Sequence, residues 1–110
     1  MRYATAFACA AALLALTGCS SHDSAREQEW RETYCGRLGS WQSTKADGSA
    51  GGKASGYLAV AAARRLDREG LDRHGSHILD DTAMAVDGDT EAEGRAVAYC
   101  TDAGFVTGLR

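Results

Sequence analysis

The chain has 110 residues, 45% hydrophobic and 25% charged, with a formal net charge of −3 at pH 7. Its length bounds it to one domain with a small core. Its net charge argues against a nucleic-acid binder that works by neutralising phosphates, and against attachment to anionic lipid by charge alone.

The first element is a targeting segment. Arg2 precedes an uncharged run from Ala4 to Leu16, which gives way to the small residues Thr17 and Gly18. Basic, then apolar, then small is the order of a secretory signal. The run is too short to span a bilayer, since a helix needs roughly 20 apolar residues to cross the hydrocarbon core. Leu16-Thr17-Gly18-Cys19 resembles the lipobox of bacterial lipoproteins, in which the thiol takes a diacylglycerol and the signal is cut just before the modified cysteine. The resemblance implies a signal peptide over 1–18, lipidation of Cys19 with palmitate-type acyl chains, and a short polar tether over 19–23. Two or more acyl chains hold a protein stably at a membrane where one holds only marginally. The expected location is the extracytoplasmic face of the cell membrane.

The remaining cysteines follow from that assignment. Cys9 leaves with the signal and Cys19 carries lipid, so Cys35 and Cys100 remain as a pair in an oxidising compartment, where disulfides persist. Closing a loop of about 65 residues is worth ~4 kcal/mol in the chain-entropy account. That is large for a domain of this size.

The domain itself is expected over 24–110. Ser24-Ala25-Arg26-Glu27 matches a capping box, and Trp30, Tyr34, Leu38 and Trp41 then recur at helical spacing, which predicts a first helix through about Gln42. Ser43 to Gly52 is rich in Gly and Ser and reads as the longest flexible loop. A second helix is predicted from Lys53 or Ser55 to Glu69, with Leu58, Ala62 and Leu66 as its buried stripe and Gly70 as its stop. The third starts at Asp72 or Ser76, buries Ile78, Leu79, Thr82 and Val86, and ends at Gly88. Thr90-Glu91-Ala92-Glu93 reads as another capping box opening a fourth helix, with Ala96, Val97, Cys100 and Ala103 on one face. Gly104 stops it, and Phe105 folds back on Tyr99 or Cys100.

No proline interrupts these segments and no stretch alternates as a strand does. The expected fold is therefore all-α: a small antiparallel bundle of about four helices, closed by one disulfide and preceded by a lipoprotein signal peptide. The order Tyr34-Cys35-Gly36-Arg37-Leu38-Gly39-Ser40-Trp41, an alanine-rich middle helix, and Ala98-Tyr99-Cys100 are similar to a group of small actinobacterial envelope lipoproteins. The resemblance implies the fold and carries no activity or functional residue with it.

Ligand-type side chains gather in one place. If the segment from His74 to Asp81 is helical, His74, His77 and Asp81 fall on one flank, and two imidazoles with a carboxylate suit zinc or another borderline metal. Gly75 works against that geometry, and the ordinary reading is a surface cluster with Asp80 and Asp81 favoured by the helix dipole. Trp30 and Trp41 lie three turns apart with Tyr34 between them. Large aromatics anchor partners but also fill cores, so the exposed one of the two is the better candidate for partner binding. Arg64, Arg65, Arg68 and Arg73 form a basic patch set against an acidic run from Asp80 to Glu93. Its plain reading is a solvated face with pairing along the helix, and the functional one is docking on an envelope partner.

No nucleophile elbow, phosphate loop or dinucleotide fingerprint is present. Asp80 and Asp81, adjacent in sequence, point to different sides of a helix. The expectation is a non-enzymatic interaction or accessory module without a cofactor. It is held to the membrane by its N-terminal lipid and engages an envelope protein or cell-wall component, not nucleic acid. A small-ligand or metal-binding lipoprotein using His74, His77 and Asp81 is the alternative.

Overall fold

Four helices in the order α1 (Arg2–Asp47), α2 (Gly52–Arg68), α3 (Ile78–Val86) and α4 (Thr90–Asp102) make up a computed structural model of the chain. It describes the backbone of residues 2–48, 51–72 and 76–105, and the side chains of those residues from 24 onward. No strand occurs among the described residues, and Cys35 is bonded to Cys100, so the expected all-helical, disulfide-closed bundle is the one observed. Among the described residues no helix is long and apolar enough to cross a membrane.

Two boundaries of α1 differ from expectation. The helix runs through Ser24, so Ser24 to Glu27 does not act as a capping box. Such a box works only where N–H groups have no carbonyl one turn earlier. At its other end α1 continues past Gln42 to Asp47, and the expected ten-residue loop shrinks to the few residues before Gly52. The cause is tertiary. Glu93 of α4 accepts from Gln42 Nε2 at 2.9 Å and from Lys45 Nζ at 2.6 Å, and Thr44 Oγ1 lies 3.3 Å from Ser55 Oγ. These contacts hold the last turn of α1 against both neighbours.

Packing fixes the directions. Arg65 of α2 sits over Trp30 while Gly56 lies against Trp41, so α2 runs antiparallel to α1. Cys100 meets Cys35 and Glu93 meets Gln42, so α4 also runs antiparallel to α1. Thr82 pairs with Tyr34 and Val86 approaches Trp41, which aligns α3 with α1. By backbone approach each helix has two neighbours, with α2 diagonal to α4 and α1 diagonal to α3, and the Tyr34–Thr82 bond spans the second diagonal through the core.

The buried stripe of α2 is Gly56, Ala59, Ala63 and Leu66 rather than Leu58, Ala62 and Leu66. Both stripes have helical spacing and share Leu66, so periodicity alone does not separate them. The small-residue stripe wins because it lets α3 come close: a Cβ on Gly56 would stand 2.8 Å from Val86 Cγ1 and 3.4 Å from Trp41 Cδ1. Val86 is stiff at χ1 and cannot swing away cheaply. Gly56→Ala is therefore expected to destabilise the protein by roughly 1 to 2 kcal/mol, with overpacking outweighing the better helix propensity of alanine. Gly94→Ala, at an exposed α4 position where a Cβ meets nothing within 4 Å, is expected to stabilise by up to ~1 kcal/mol. Urea melts of the two variants beside the parent check the opposite signs.

The helix ends show which local signals survive. Gly70 has φ +68°, and Leu71 N–H donates to the Leu66 carbonyl at 2.9 Å, the glycine-ended cap expected there. Phe105 N–H likewise reaches back to the Cys100 carbonyl at 2.8 Å, and its ring packs on the core as anticipated. The α4 start is shifted by one residue. Asp89, not Thr90, is the N-cap, accepting from Ala92 N–H at 3.1 Å, and Glu93 leaves the expected capping box to bind Gln42 and Lys45. For α3, Asp72 supplies the capping oxygen, 3.3 Å from Ile78 N, although the helix begins after both Asp72 and Ser76. Its buried face is Ile78, Asp81, Thr82 and Ala85, with Leu79 and Val86 only half-buried.

Candidate functional site

The disulfide lies in the centre of the bundle. Cys35 is 2% exposed and Cys100 0%, with Cα atoms 5.8 Å apart. Burial shuts out small thiols, which makes the bond a structural rather than an exchanging one. Beside it, Tyr34 and Tyr99 meet edge to face with ring centroids 5.9 Å apart. Thr82 Oγ1 donates its only proton to the Ile78 carbonyl at 2.7 Å, so Tyr34 is the donor in its 2.5 Å bond to Thr82. Burial pushes the Tyr34 hydroxyl pKa well up, more than the Thr82 bond lowers it, and the group stays neutral. Tyr99 donates to the Leu71 carbonyl at 2.8 Å and lies 3.4 Å from Arg31 Nε. These hydroxyls hold α1, α3 and α4 in register.

The expected metal flank does not assemble among the described residues. His74 lies outside them. His77 is exposed at the α3 N-cap position, and Asp81 points into the bundle at 5% exposure. Its Oδ1 accepts from Arg95 Nε at 2.9 Å, a partner on α4 that sequence spacing gave no means of finding. Among the described residues no group of three or more His, Cys, Asp or Glu is placed to hold a metal ion. Asp80 does sit at the surface, as the dipole argument anticipates; Asp81 does not, because the same helix turn faces α4.

Glu93 is a half-buried carboxylate held by two donors, Lys45 and Gln42. Partial burial works to raise its pKa, but hydrogen bonds from Lys45 and Gln42 more than offset this and hold it below the usual carboxylate range. A carboxyl whose folded pKa is depressed contributes stability above its unfolded value, about 4.3, and loses it as pH falls through the folded value. The stability gap between the parent and Glu93→Gln is therefore expected to be full at pH 7 and to close as pH drops below about 4. Urea midpoints measured across that range test it.

The two tryptophans separate cleanly. Trp41 is 4% exposed and belongs to the core, with Lys45 Nζ 4.7 Å from its ring centroid. It borders an open cavity of about 210 Å³ shared with Lys53, Val86 and Thr90, but offers no free surface. Trp30 is half-buried under the Arg65 guanidinium, 5.3 Å from its centroid. Of the two it is the candidate for partner binding. It opens onto a shallow groove of about 310 Å³ between α1 and α2, lined also by Arg37, Leu58, Ala61 and Arg68. Tyr57 at 67% and Leu58 at 52% exposure continue this surface, and Arg64, Arg65 and Arg68 are exposed beside them. Arg73, the remaining member of the expected basic patch, lies outside the described residues.

Sequence reasoning assigned Leu58 to the core, and so the continuity of this apolar and cationic face was missed. The signal that could have found it is the competing small-residue stripe of α2. No protein-family model matches the chain, nor does any curated protein or solved structure, so its reading rests on this geometry and on the sequence.

Proposed function

We propose that the protein is a lipid-anchored, extracytoplasmic interaction module of a bacterial cell envelope, without enzymatic activity. The observation that carries this reading is the spending of cysteines. Cys35 and Cys100 are consumed by a buried disulfide, a bond that fits an oxidising compartment, and Cys19 stands in a lipobox sequence suited to acylation. Three polar pairs of the bundle support a scaffold role, Tyr34 with Thr82, Asp81 with Arg95 and Glu93 with Lys45. Tyr57 and Leu58 stand exposed beside the half-buried Trp30, an apolar surface through which such a module engages its surroundings in the envelope.

Intact-mass spectrometry of protein purified from membranes tests the anchor. The expected species begins at Cys19, carries acyl chains and has Cys35 and Cys100 closed to alkylation. An unprocessed, unacylated polypeptide with both thiols alkylatable overturns the reading. Crosslinking on intact cells, comparing the native chain with Cys19→Ala, tests the interaction: a specific neighbour retained only with the lipid supports it, and the same neighbours with and without lipid count against it.

A further inference from the structure

The net charge of the chain conceals a strong internal division. Helix α2 carries four cations against one carboxylate, whereas segment 78–102 carries seven carboxylates against one cation. Glu91, Glu93 and Asp102 lie on α4, which stands diagonal to α2, with Asp89 at its N-cap, while Asp80, Asp81 and Asp87 belong to α3 and its C-cap, next to α2. At 3.6 residues per turn, Tyr57, Leu58, Ala61, Arg64, Arg65 and Arg68 fall within about a third of the α2 circumference. All six are exposed, and the single acid of the helix, Asp67, lies off that arc. Trp30 and Arg37 of α1 border it through the shared groove.

We propose that this outer face of α2, flanked by Trp30 and Arg37, seats on an anionic phospholipid surface. The proposal deepens the lipoprotein reading and rests on it for the bilayer being at hand. Leucine, aromatic rings and arginines on one helix face are the composition of helices that lie in the headgroup region. The apolar groups here stand on an open, shallow surface rather than in a deep pocket of the kind that receives a protein anchor residue, which favours a bilayer over an acidic protein. Direction agrees. Because α2 runs antiparallel to α1, its arginine end lies beside Trp30, eleven residues or about 16 Å of helix from Cys19. The acyl chains hold the molecule at the surface, and the arginines set which side faces it. The acidic side is repelled, so a single orientation results.

A polarity-sensitive fluorescent amino acid in place of Ala61, and separately in place of the exposed Ala98 on α4, reports that orientation in the full chain. The protein is reconstituted in vesicles of phosphatidylcholine alone and of phosphatidylcholine with about one-third phosphatidylglycerol. The expected result is a blue shift at position 61 in the anionic vesicles only, with no shift at position 98. The shift is lost in the triple variant Arg64→Gln, Arg65→Gln, Arg68→Gln, and in about 1 M salt, where the screening length falls to ~3 Å. Leu58→Gln, at an exposed site, reduces the shift without removing charge and serves if the triple variant folds poorly. Equal shifts at both positions, an equal shift in neutral vesicles, or none in either overturns the proposal. A shift that needs a second copy or an acidic protein added to the vesicles also overturns it and assigns the face to that partner. Cys19 acylation is read on the same sample by intact mass. An unacylated chain whose position 61 still shifts sinks the anchor and keeps the docking face, and an acylated chain whose position 61 stays in water does the reverse.

Discussion

A chain carrying Cys35→Ala and Cys100→Ala is expected to melt roughly 15 to 30 °C below the parent, a loss of ~4 kcal/mol for a domain of this size. The bond joins residues 65 apart, so its removal frees almost the whole bundle from α1 to α4 in the unfolded ensemble. The native state loses little by comparison, because two alanines fill most of the volume and the rest of the buried cluster, Tyr34, Tyr99 and Ile78 included, is unchanged. The stabilisation therefore resides chiefly in the denatured chain. Because both sulfurs are buried, reductant alone is expected to act at the rate of unfolding: the bond opens readily in urea and slowly without it. Calorimetry of the double variant beside the parent, and alkylation time courses with and without denaturant, measure the two effects. A melting point within a few degrees of the parent would mean that the unfolded chain is already compact enough to gain nothing from release.

The second large effect is expected at the Tyr34–Thr82 bond. Thr82→Val keeps the shape of the side chain but removes the acceptor, leaving a fully buried Tyr34 hydroxyl without its partner. A buried donor left unmade costs about 1 to 3 kcal/mol, and a value near 2 is expected here. Tyr34→Phe removes the donor instead. Thr82 keeps its own bond to the Ile78 carbonyl, so the loss is expected to be nearer 1 kcal/mol. Combining the two changes takes away both needs at once, and Tyr34→Phe on the Thr82→Val background is expected to recover much of the stability. A double-mutant cycle from urea melts reads the coupling directly. Strict additivity of the two losses would show that the hydroxyls do not depend on one another.

Both effects join residues far apart in the chain, and that separation marks where sequence reading stops. The number of helices, their glycine-ended stops at Gly70 and Gly104, and the return of Phe105 onto Cys100 are decided within five or six residues, where capping chemistry and backbone preference act. The Cys35 to Cys100 pairing was legible for a different reason: with Cys9 and Cys19 assigned to the leader and the lipid, one connectivity remained. Asp80 at a helix start could be placed from the dipole argument, whereas spacing left open which of Trp30 and Trp41 reaches the surface.

What only the tertiary structure decided is which of several equally periodic faces turns inward. Helical spacing allows Leu58 or Gly56 on the buried side of α2, and the close approach of Val86 selects Gly56. Glu93 satisfies the pattern of a capping box, yet Lys45, 48 residues away, claims its carboxylate and lengthens α1. Asp81 reads as a ligand or a surface acid until Arg95 meets it across the α3–α4 contact. Local patterns set where helices begin and end because their energies come from neighbouring backbone groups. The partners of side chains, and the division of charge between α2 and the α3–α4 side, come from packing between helices, which a one-dimensional spacing does not contain.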